Sequence, residues 1–274
     1  MLKLGPLNLP VPAVMGILNV TPDSFSDGGR FVKPDTALRQ AAAMARDGAT
    51  ILDIGGESTR PGARSVGGPQ ELDRVIPVIE AVRTVTDLPI SIDTSKAEVM
   101  REAVAAGACL VNDVYALQGE GALQAAADLQ VPVCLMHMRG EPRTMQVAPE
   151  YDDVVAEVAR FLESRVAACV AAGLAEELLI VDPGFGFGKT HRHNVELLAN
   201  LRQLSVRGRP VLVGLSRKST LGELTNRDVS ERLPASIAAA VIAVMNGAEI
   251  VRAHDVGATV DALKVVQAVT KAGA

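Results

Sequence analysis

The sequence predicts a single (β/α)₈ barrel, and three features carry this prediction. Eight short runs rich in Val, Ile and Leu alternate with longer Ala-rich stretches of helical spacing. The 274 residues suit one such barrel of about 250 residues with small additions. Each run also leads into a polar or charged residue that packing does not explain. In chain order these residues are Asn19, Asp53, Asp93, Asn112, His137, Asp182, Lys218 and Arg252.

The eight apolar runs are the predicted strands, because buried parallel strands read as continuous hydrophobic segments. They are residues 14–18, 51–52, 90–92, 110–111, 131–136, 178–181, 211–213 and 250–251. The covering helices are predicted over residues 35–47, 70–86, 96–106, 121–129, 152–172, 194–204, 231–246 and 259–272. Gly48, Gly107 and Gly247 each stand where a helix stops and a strand begins at once, which is typical of a left-handed helix end. Residues 1–11 predict a short N-terminal extension, a small strand or hairpin below the barrel.

One domain is predicted over residues 1–274, because no Pro-, Gly- or Ser-rich linker divides the chain. The alternating order would also allow an open, doubly wound sheet. Two observations favour closure. The eight units are of even size, and no Gly-rich dinucleotide-binding turn follows the first strand. In a closed barrel the carboxyl ends of the strands carry the active site. The polar residues are therefore expected to gather at that end.

Composition excludes several classes of partner. The net charge is −5 and there is no Lys/Arg-rich run, so no nucleic acid is expected. The longest apolar stretch, residues 237–245, is well short of the about 20 residues that span a bilayer. Prolines interrupt the first 12 residues, so neither a signal peptide nor a membrane is expected. The three cysteines lack CxxC spacing and predict reduced thiols in a cytoplasmic protein.

Three segments that follow strands are longer than the about 2–6 residues that strand–helix connections need. They are residues 21–33, 57–69 and 139–150. Long loops at the catalytic end of a barrel usually bind ligands. A tolerated surface insertion is the alternative for any one of them, and three on the same face weaken it.

The segment from Asp182 to Thr190 contains a misleading motif. It ends in Gly-Lys-Thr, as a phosphate-binding P-loop does, but that pattern needs a glycine five residues before Gly188. Pro183 stands there, so the pattern fails. We expect instead that Asp182 points into the barrel mouth and that the glycines let the backbone pass close to a flat ligand.

Four of the polar residues can surround a planar heterocycle; they are Asp93, Asn112, Asp182 and Lys218. A carboxylate accepts two parallel N–H bonds from an amidine-like edge, and a lysine donates to a ring carbonyl or imine nitrogen. Alternatively, Asp93 caps the next helix and Asp182 pairs with an arginine. Unpaired charges at a barrel mouth are costly unless they serve a ligand, which favours a binding site for the set. Met136 is predicted to wall the pocket and His137 to be structural, because adjacent strand residues face opposite sides.

The last strand predicts an anion site. Arg252 and His254 are two residues apart, so both point to the same face, beside Asn19 from the adjacent first strand. A salt bridge between Arg252 and Asp255 is the alternative. No Ser-His-Asp order is evident, which favours chemistry driven by charge stabilisation and a good leaving group such as diphosphate.

A diphosphate would bring Mg²⁺, which takes one or two protein oxygens together with substrate phosphates. Asn19, with Asp23 or Asp27, is expected to supply them. The pair His191 and His193 has no nearby third ligand, so zinc is not expected there.

Eight segments carry recognisable motifs. They are residues 16–29 (GILNVTPDSFSDGG), 53–62 (DIGGESTRPG), 91–94 (SIDT), 111–114 (VNDV), 136–138 (MHM), 182–189 (DPGFGFGK), 214–219 (GLSRKS) and 252–255 (RAHD). In this order, over nearly the whole chain, they resemble the dihydropteroate synthase family of pterin-binding enzymes. The first two together with the Ser-Arg-Lys-Ser motif are highly specific.

The resemblance implies that 6-hydroxymethyl-7,8-dihydropterin diphosphate and 4-aminobenzoate give 7,8-dihydropteroate and diphosphate. It also implies a homodimer and Mg²⁺. The implied pterin-binding residues are Asp93, Asn112, Met136, Asp182, Lys218 and Arg252, of which Asp93, Lys218 and Arg252 would be catalytic. The implied diphosphate-binding residues are Asn19, Arg252 and His254, with Asn19 at the metal. The implied 4-aminobenzoate-binding residues are Phe25, Thr59, Arg60, Pro61, Phe187 and Ser219.

A dissociative substitution agrees with these residues: diphosphate leaves first, and the carboxylate of Asp93 stabilises the cationic methylene group. Two alternatives remain at this point. One is a pterin-binding methyltransferase that passes a methyl group from a folate to a corrinoid, which would need neither a diphosphate site nor the motifs at residues 21–25 and 58–61. The other is a non-catalytic pterin-binding paralogue.

Overall fold

The computed structural model describes residues 1–21, 34–58, 66–142 and 144–273. The predicted N-terminal hairpin is confirmed as two antiparallel strands, and parallel strands follow it along the chain. The strands are β1 (Leu2–Leu4), β2 (Leu7–Leu9), β3 (Ala13–Asn19), β4 (Ile51–Gly55), β5 (Ile90–Asp93), β6 (Leu110–Asp113), β7 (Val133–Met136), β8 (Leu179–Asp182), β9 (Leu212–Val213) and β10 (Ile250–Ala253).

The eight parallel strands close into a barrel. They are hydrogen-bonded in the order β8-β7-β6-β5-β4-β3-β10-β9. The two ends of this sheet meet where Val181 bridges Val211 and the Val181 amide donates to the Pro210 carbonyl at 2.9 Å. The predicted (β/α)₈ barrel is therefore confirmed, and the open doubly wound sheet is wrong.

Helices cover the outside of the barrel, and among those described none is long and apolar enough to cross a membrane. They are α1 (Pro34–Arg46), α2 (Gly68–Arg83), α3 (Ala97–Ala105), α4 (Ala122–Leu129), α5 (Val154–Ala171), α6 (His191–Ala199), α7 (Ser219–Thr225), α8 (Leu233–Met245) and α9 (Val256–Ala272). The sequence did not predict α7, because seven residues are too few to show a helical period. Helix α6 begins earlier than predicted because Thr190 caps it, its Oγ1 accepting from the His193 amide at 3.1 Å.

The barrel interior changes character along its axis. At the lower, amino-terminal end the hairpin closes the barrel with Leu4 and Leu9, which pack on Met15, Ile51, Leu110, Cys134, Ile180, Leu212 and Ile250. Alternate residues of a strand face the same side. In β4, β6, β8 and β10, the inward-facing apolar residue is therefore followed two positions later by a polar residue that also faces inward. These polar residues are Asp53, Asn112, Asp182 and Arg252. Each of these strands contributes to an apolar plug below and to a polar layer above.

Candidate active site

Strand register brings most of the predicted residues to one level at the upper end. The register pairs are Asn19–Gly55, Gly55–Asp93, Asp93–Asn112 and Met136–Asp182. Gly55 leaves a gap between two of these residues, because a Cβ at this position would lie 3.6 Å from Asn19 Oδ1 and 3.7 Å from Asp93 Oδ2. The predicted gathering of polar groups at the carboxyl ends of the strands is confirmed.

A charged cluster crosses the barrel at this level. Arg252 Nε donates to Asp53 Oδ2 at 2.6 Å, and Arg252 Nη2 donates to Asp93 Oδ2 at 2.8 Å. Asn112 Nδ2 donates to the same Asp53 oxygen at 3.2 Å. Because β10, β4, β5 and β6 contribute, the contacts span the barrel mouth. Asp53 Oδ1 is buried and has no hydrogen-bond partner among the described residues.

This cluster corrects one expectation and excludes one alternative. The charges were expected to be unpaired without a ligand, but Asp93 and Arg252 form an ion pair, because the register places both side chains inside the barrel. The alternative pairing of Arg252 with Asp255 is also wrong. Asp255 accepts two bonds from Arg217, from Nε at 3.0 Å and from Nη2 at 2.5 Å, which ties the β9–α7 loop to the end of β10.

Burial shifts the titration of the carboxylates. Burial raises the pKa of Asp93 to about 7, against the lowering effect of Arg252 and with a further raising effect from Asp53. Burial likewise raises the pKa of Asp182 to about 6, although the Gly184 amide and Lys218 lower it. Ionised carboxylates at this level are therefore stabilised by the neighbouring cations against the cost of desolvation.

Lys218 lies near this cluster and against an aromatic ring. It is the N-cap residue of α7, and its Nζ lies 4.2 Å from the centre of the Phe187 ring. Burial, together with Arg252, lowers its pKa to about 8. Phe187 packs with Met136 and Val114 in a small buried cluster. Met136 thus belongs to an apolar cluster next to Lys218, and its role as a wall for the ligand stays a prediction.

His254 has a defined hydrogen-bonding partner. Ser216 Oγ accepts from the His254 amide at 3.2 Å and lies 3.0 Å from His254 Nδ1. When the Ser216 hydroxyl donates to Nδ1, the ring proton is on Nε2, which becomes a donor. His137 is structural, as predicted: it is buried and its ring packs edge-on against Phe161 at 4.9 Å.

A second ionic group lies beside Asp93 at the base of the β4–α2 loop. Lys96 Nζ is 2.5 Å from both Glu57 Oε2 and Glu71 Oε2, and Glu57 Oε1 accepts from the Val66 amide at 3.2 Å. Glu57 thereby joins the two described ends of this loop. A cavity of about 770 Å³ opens here, lined by Asp93 and by these charged side chains.

Some predicted residues lie outside the described ranges. They are Phe25, Thr59, Arg60 and Pro61 of the 4-aminobenzoate set, and the possible metal ligands Asp23 and Asp27. Ser219 is exposed at the first position of α7, and Phe187 is buried. Among the described residues, no group of three or more His, Cys, Asp or Glu is placed to hold a metal ion.

Four residues at or near the site were not assigned roles from the sequence. Asp53 was one of the eight strand-end residues, so its position was a usable signal. Glu71 and Lys96 lie on a predicted helix or at its start and gave no signal, because their contacts join segments distant in sequence. Lys189 was named only as part of the failed P-loop.

Comparisons with known proteins agree with this geometry. The model of the family described as "Pterin binding enzyme" matches residues 15–254. The dihydropteroate synthase of Escherichia coli (strain K12) is 55% identical over 97% of this chain and 94% of that protein. A solved Xanthomonas albilineans dihydropteroate synthase with 4-aminobenzoic acid has a TM-score of 0.91 at 56% identity, covering 96% of this chain and 95% of that chain. A second structure from that organism, in complex with 7,8-dihydropteroate, has a TM-score of 0.87 at 53% identity, with the same coverage.

Proposed function

The chain belongs to the pterin-binding enzyme family and has the activity of a dihydropteroate synthase, and from this premise we propose how its site divides between the substrates. The enzyme is a transferase of folate biosynthesis. It joins 6-hydroxymethyl-7,8-dihydropterin diphosphate to 4-aminobenzoate, giving 7,8-dihydropteroate and diphosphate. The methyltransferase and the non-catalytic paralogue lack support, because the relatives that match nearly the whole chain are synthases.

The pterin lies across the barrel mouth. This proposal rests on the position of Asp182, Lys218 and the Arg252 cluster at the same height along the barrel axis. The carboxylate of Asp182 accepts from the 2-amino group and the adjacent ring N–H, a parallel pair of bonds. Lys218 donates to an acceptor on the ring. The amide of Asn112 supplies a further polar contact, as does Asp53 Oδ1, which has no hydrogen-bond partner in the described parts of the chain. Met136 forms the wall beneath the ring.

The diphosphate lies on the side of Asn19, His254 and Arg252. His254 Nε2 donates to it when Ser216 holds Nδ1, and Arg252 supplies positive charge. The donor set fits Mg²⁺, which prefers oxygen ligands, because Asn19 Oδ1 and Asp93 Oδ2 border the gap that Gly55 leaves. Asn19 would hold the ion, and Mg²⁺ when bound supplies charge neutralisation for the leaving diphosphate.

The reaction is proposed to proceed by dissociation. The bond between the exocyclic methylene carbon and the diphosphate oxygen breaks, and its electron pair leaves with diphosphate. The carboxylate of Asp93 stabilises the positive charge on the methylene group. The aniline nitrogen of 4-aminobenzoate then forms the new C–N bond and loses a proton to the released diphosphate. Arg252 holds Asp93 in place during this sequence through its 2.8 Å bond.

The 4-aminobenzoate lies between Phe187 and the start of α7. The Phe187 ring supplies an apolar face, and Ser219 supplies a hydroxyl at the entrance. Thr59, Arg60, Pro61 and Phe25 complete this set by family position and lie outside the described residues.

The assembly is proposed to be a dimer of two copies of this chain in the cytoplasm. Helix α8 exposes Ile242 and Met245, with fractional exposures of 46% and 62%, and α9 exposes Val265 and Val269 at 64% and 67%. Exposed apolar side chains on two helices that pack against each other favour an interface, and a second copy would cover them symmetrically. The cysteines, all within the described residues, are free thiols, which suits a reducing compartment. Sedimentation velocity should give twice the mass of one chain, and a monomer would contradict this assembly.

Equilibrium binding of 6-hydroxymethyl-7,8-dihydropterin tests the site. Asp182→Asn should weaken binding about 100-fold, because it removes a buried charged acceptor. Asp261→Asn makes the same chemical change at an 80% exposed position on α9 and should bind as the wild type does. Equal affinities for wild type and Asp182→Asn would remove Asp182 from the pterin site. Diphosphate release that depends on 4-aminobenzoate measures the reaction itself.

A further inference from the structure

Lys189, the last residue of the failed P-loop motif, has no role in the proposed function. Its side chain is only 2% exposed. The ammonium group lies 2.9 Å from the Gly184 carbonyl oxygen, 3.0 Å from the Phe187 carbonyl oxygen and 3.3 Å from the His137 carbonyl oxygen. It also lies 2.9 Å from His137 Nδ1. All four partners are uncharged acceptors. Three are backbone carbonyls, and the His137 ring is neutral because burial lowers its pKa to about 2.

These bonds hold the turn between β8 and α6 in one conformation. The turn has left-handed backbone at Gly184, Gly186 and Gly188, which directs its carbonyl groups toward the lysine. A side chain at Gly184 would overlap the His137 carbonyl oxygen, so the turn lies directly against the end of β7. A buried ammonium is costly unless several acceptors surround it. A lysine at this position is therefore explained by the turn that it holds.

The turn leads directly into the site. The Gly184 amide donates to Asp182 Oδ1 at 2.7 Å, while the Gly184 carbonyl accepts from Lys189. The Phe187 carbonyl also accepts from Lys189, while the Phe187 ring lies under Lys218 at 4.2 Å. One ammonium group thus holds both Gly184, which contacts the Asp182 carboxylate, and Phe187, which contacts Lys218.

We propose that Lys189 is a positioning residue of the pterin site, which acts through Gly184 on Asp182 and through Phe187 on Lys218. This inference rests on the proposed function, because it assumes that Asp182 accepts from the pterin. It assigns to Lys189 a role opposite to that of a P-loop lysine: the ammonium faces into the protein and bonds to backbone carbonyls.

Burial lowers the pKa of Lys189 to about 7, so Lys189 is charged near pH 6, where Asp182 titrates, and this charge contributes as well as its bonds. The charged and titratable groups around Asp182 are Lys218, Lys189 and Arg252, together with the neutral thiol of Cys134. Burial raises the pKa of Asp182, and the three cations lower it. Loss of the Lys189 charge should therefore raise that pKa further. Since the ionised carboxylate binds the pterin, binding should then require a higher pH.

The test compares Lys189→Met with the wild type in binding 6-hydroxymethyl-7,8-dihydropterin between pH 5 and pH 9. Lys189→Met should weaken binding about tenfold at pH 7, and the pH at which binding is half lost should rise. Lys189→Gln keeps two N–H donors without the charge, so it should retain more affinity while showing the same rise. A folded Lys189→Met with wild-type affinity and pH profile would overturn the inference.

Two controls separate positioning from general destabilisation. Lys264→Met makes the same chemical change at a 69% exposed position and should bind as the wild type does. Val166→Ala opens a cavity in the buried face of α5, at a residue that makes none of the bonds to Lys189. It should lower thermal stability without moving the pH profile. A shifted profile in Val166→Ala would show that instability alone produces the effect and would overturn the inference.

A wild-type measurement covers the case in which neither Lys189 variant folds. In protein labelled with ¹⁵N-lysine, the Lys189 ammonium resonance should be protected from exchange and should shift when the pterin binds, while that of Lys264 stays unchanged. An unshifted Lys189 resonance would contradict the coupling. If Asp182→Asn binds normally, the proposed function fails; if Asp182→Asn loses binding and Lys189→Met does not, the Lys189 inference alone fails.

Discussion

The two ends of the barrel are built from the same strands and differ completely in chemistry. At the lower end, Leu4 and Leu9 close the barrel over a layer of fully buried aliphatic side chains. At the upper end, Asp53, Asp93 and Arg252 form a charged network whose members come from three strands. On β4 the change takes two residues, from Ile51 to Asp53.

This difference separates the residues that stabilise the fold from those that serve the reaction. The lower layer removes apolar surface from water and contributes free energy of folding. The upper layer buries carboxylates at an energetic cost, visible in the raised pKa of Asp93 and Asp182. That cost is characteristic of a site that must present charge to a ligand. Changes at the two ends should therefore have separable effects.

The largest effect should come from Asp93→Asn at the upper end. The amide keeps the shape of the side chain but removes the negative charge that stabilises the methylene cation, so kcat should fall about 100-fold or more. The affinity for pterin diphosphate should change much less. Steady-state kinetics and equilibrium binding measure the two quantities, with Asp261→Asn on α9 as the control. Equal losses in both would count against charge stabilisation.

Leu4→Ala at the lower end should lower stability and leave activity unchanged. It should reduce the free energy of unfolding by about 2–5 kcal/mol, because it leaves a cavity in the closed end of the barrel. The values of kcat and both KM should stay unchanged. Denaturant unfolding and kinetics on the same preparation test this, and Lys3→Ala, on the exposed side of the hairpin, should alter neither. A changed KM in Leu4→Ala would show that the two ends are coupled.

The smallest effect is the dependence of kcat on pH, which tests the role of Asp93 at the upper end. Burial raises the pKa of Asp93 to about 7, and the ionised form is the one that stabilises the cation. Activity should thus be present above about pH 7 and decline as pH falls through that value. Asp93→Asn should lose this dependence. A kcat that is flat from pH 8 to pH 5.5 in the wild type would remove Asp93 from the charge-stabilising role.

Local pattern predicted the strands and the residues that end them. Asn112 and Asp182 were predicted to lie at the barrel mouth, because the apolar runs before them identify the strands, and the structure places them there. The helix α7 was missed because its seven residues lack a clear period. The sequence offered only Asp255 as an alternative partner for Arg252, because Asp53 and Asp93 come near it only after the barrel closes.

The role inferred for Lys189 shows the same limit. Its neighbours in sequence suggested a phosphate loop, and the missing glycine at Pro183 excluded that motif without offering another role. The partners of its ammonium group include His137, 52 residues away along the chain. No periodicity or spacing could predict that contact.

By itself the sequence determined the barrel, its order of elements, the family and the set of polar residues at the strand ends. These depend on the spacing of apolar residues and on short motifs, which are properties of neighbours along the chain. The tertiary structure alone decided which of those charges are paired, which carboxylates have raised pKa values and which way Lys189 points. These depend on distances across the barrel and on exclusion of water, and both are set only once the barrel has closed.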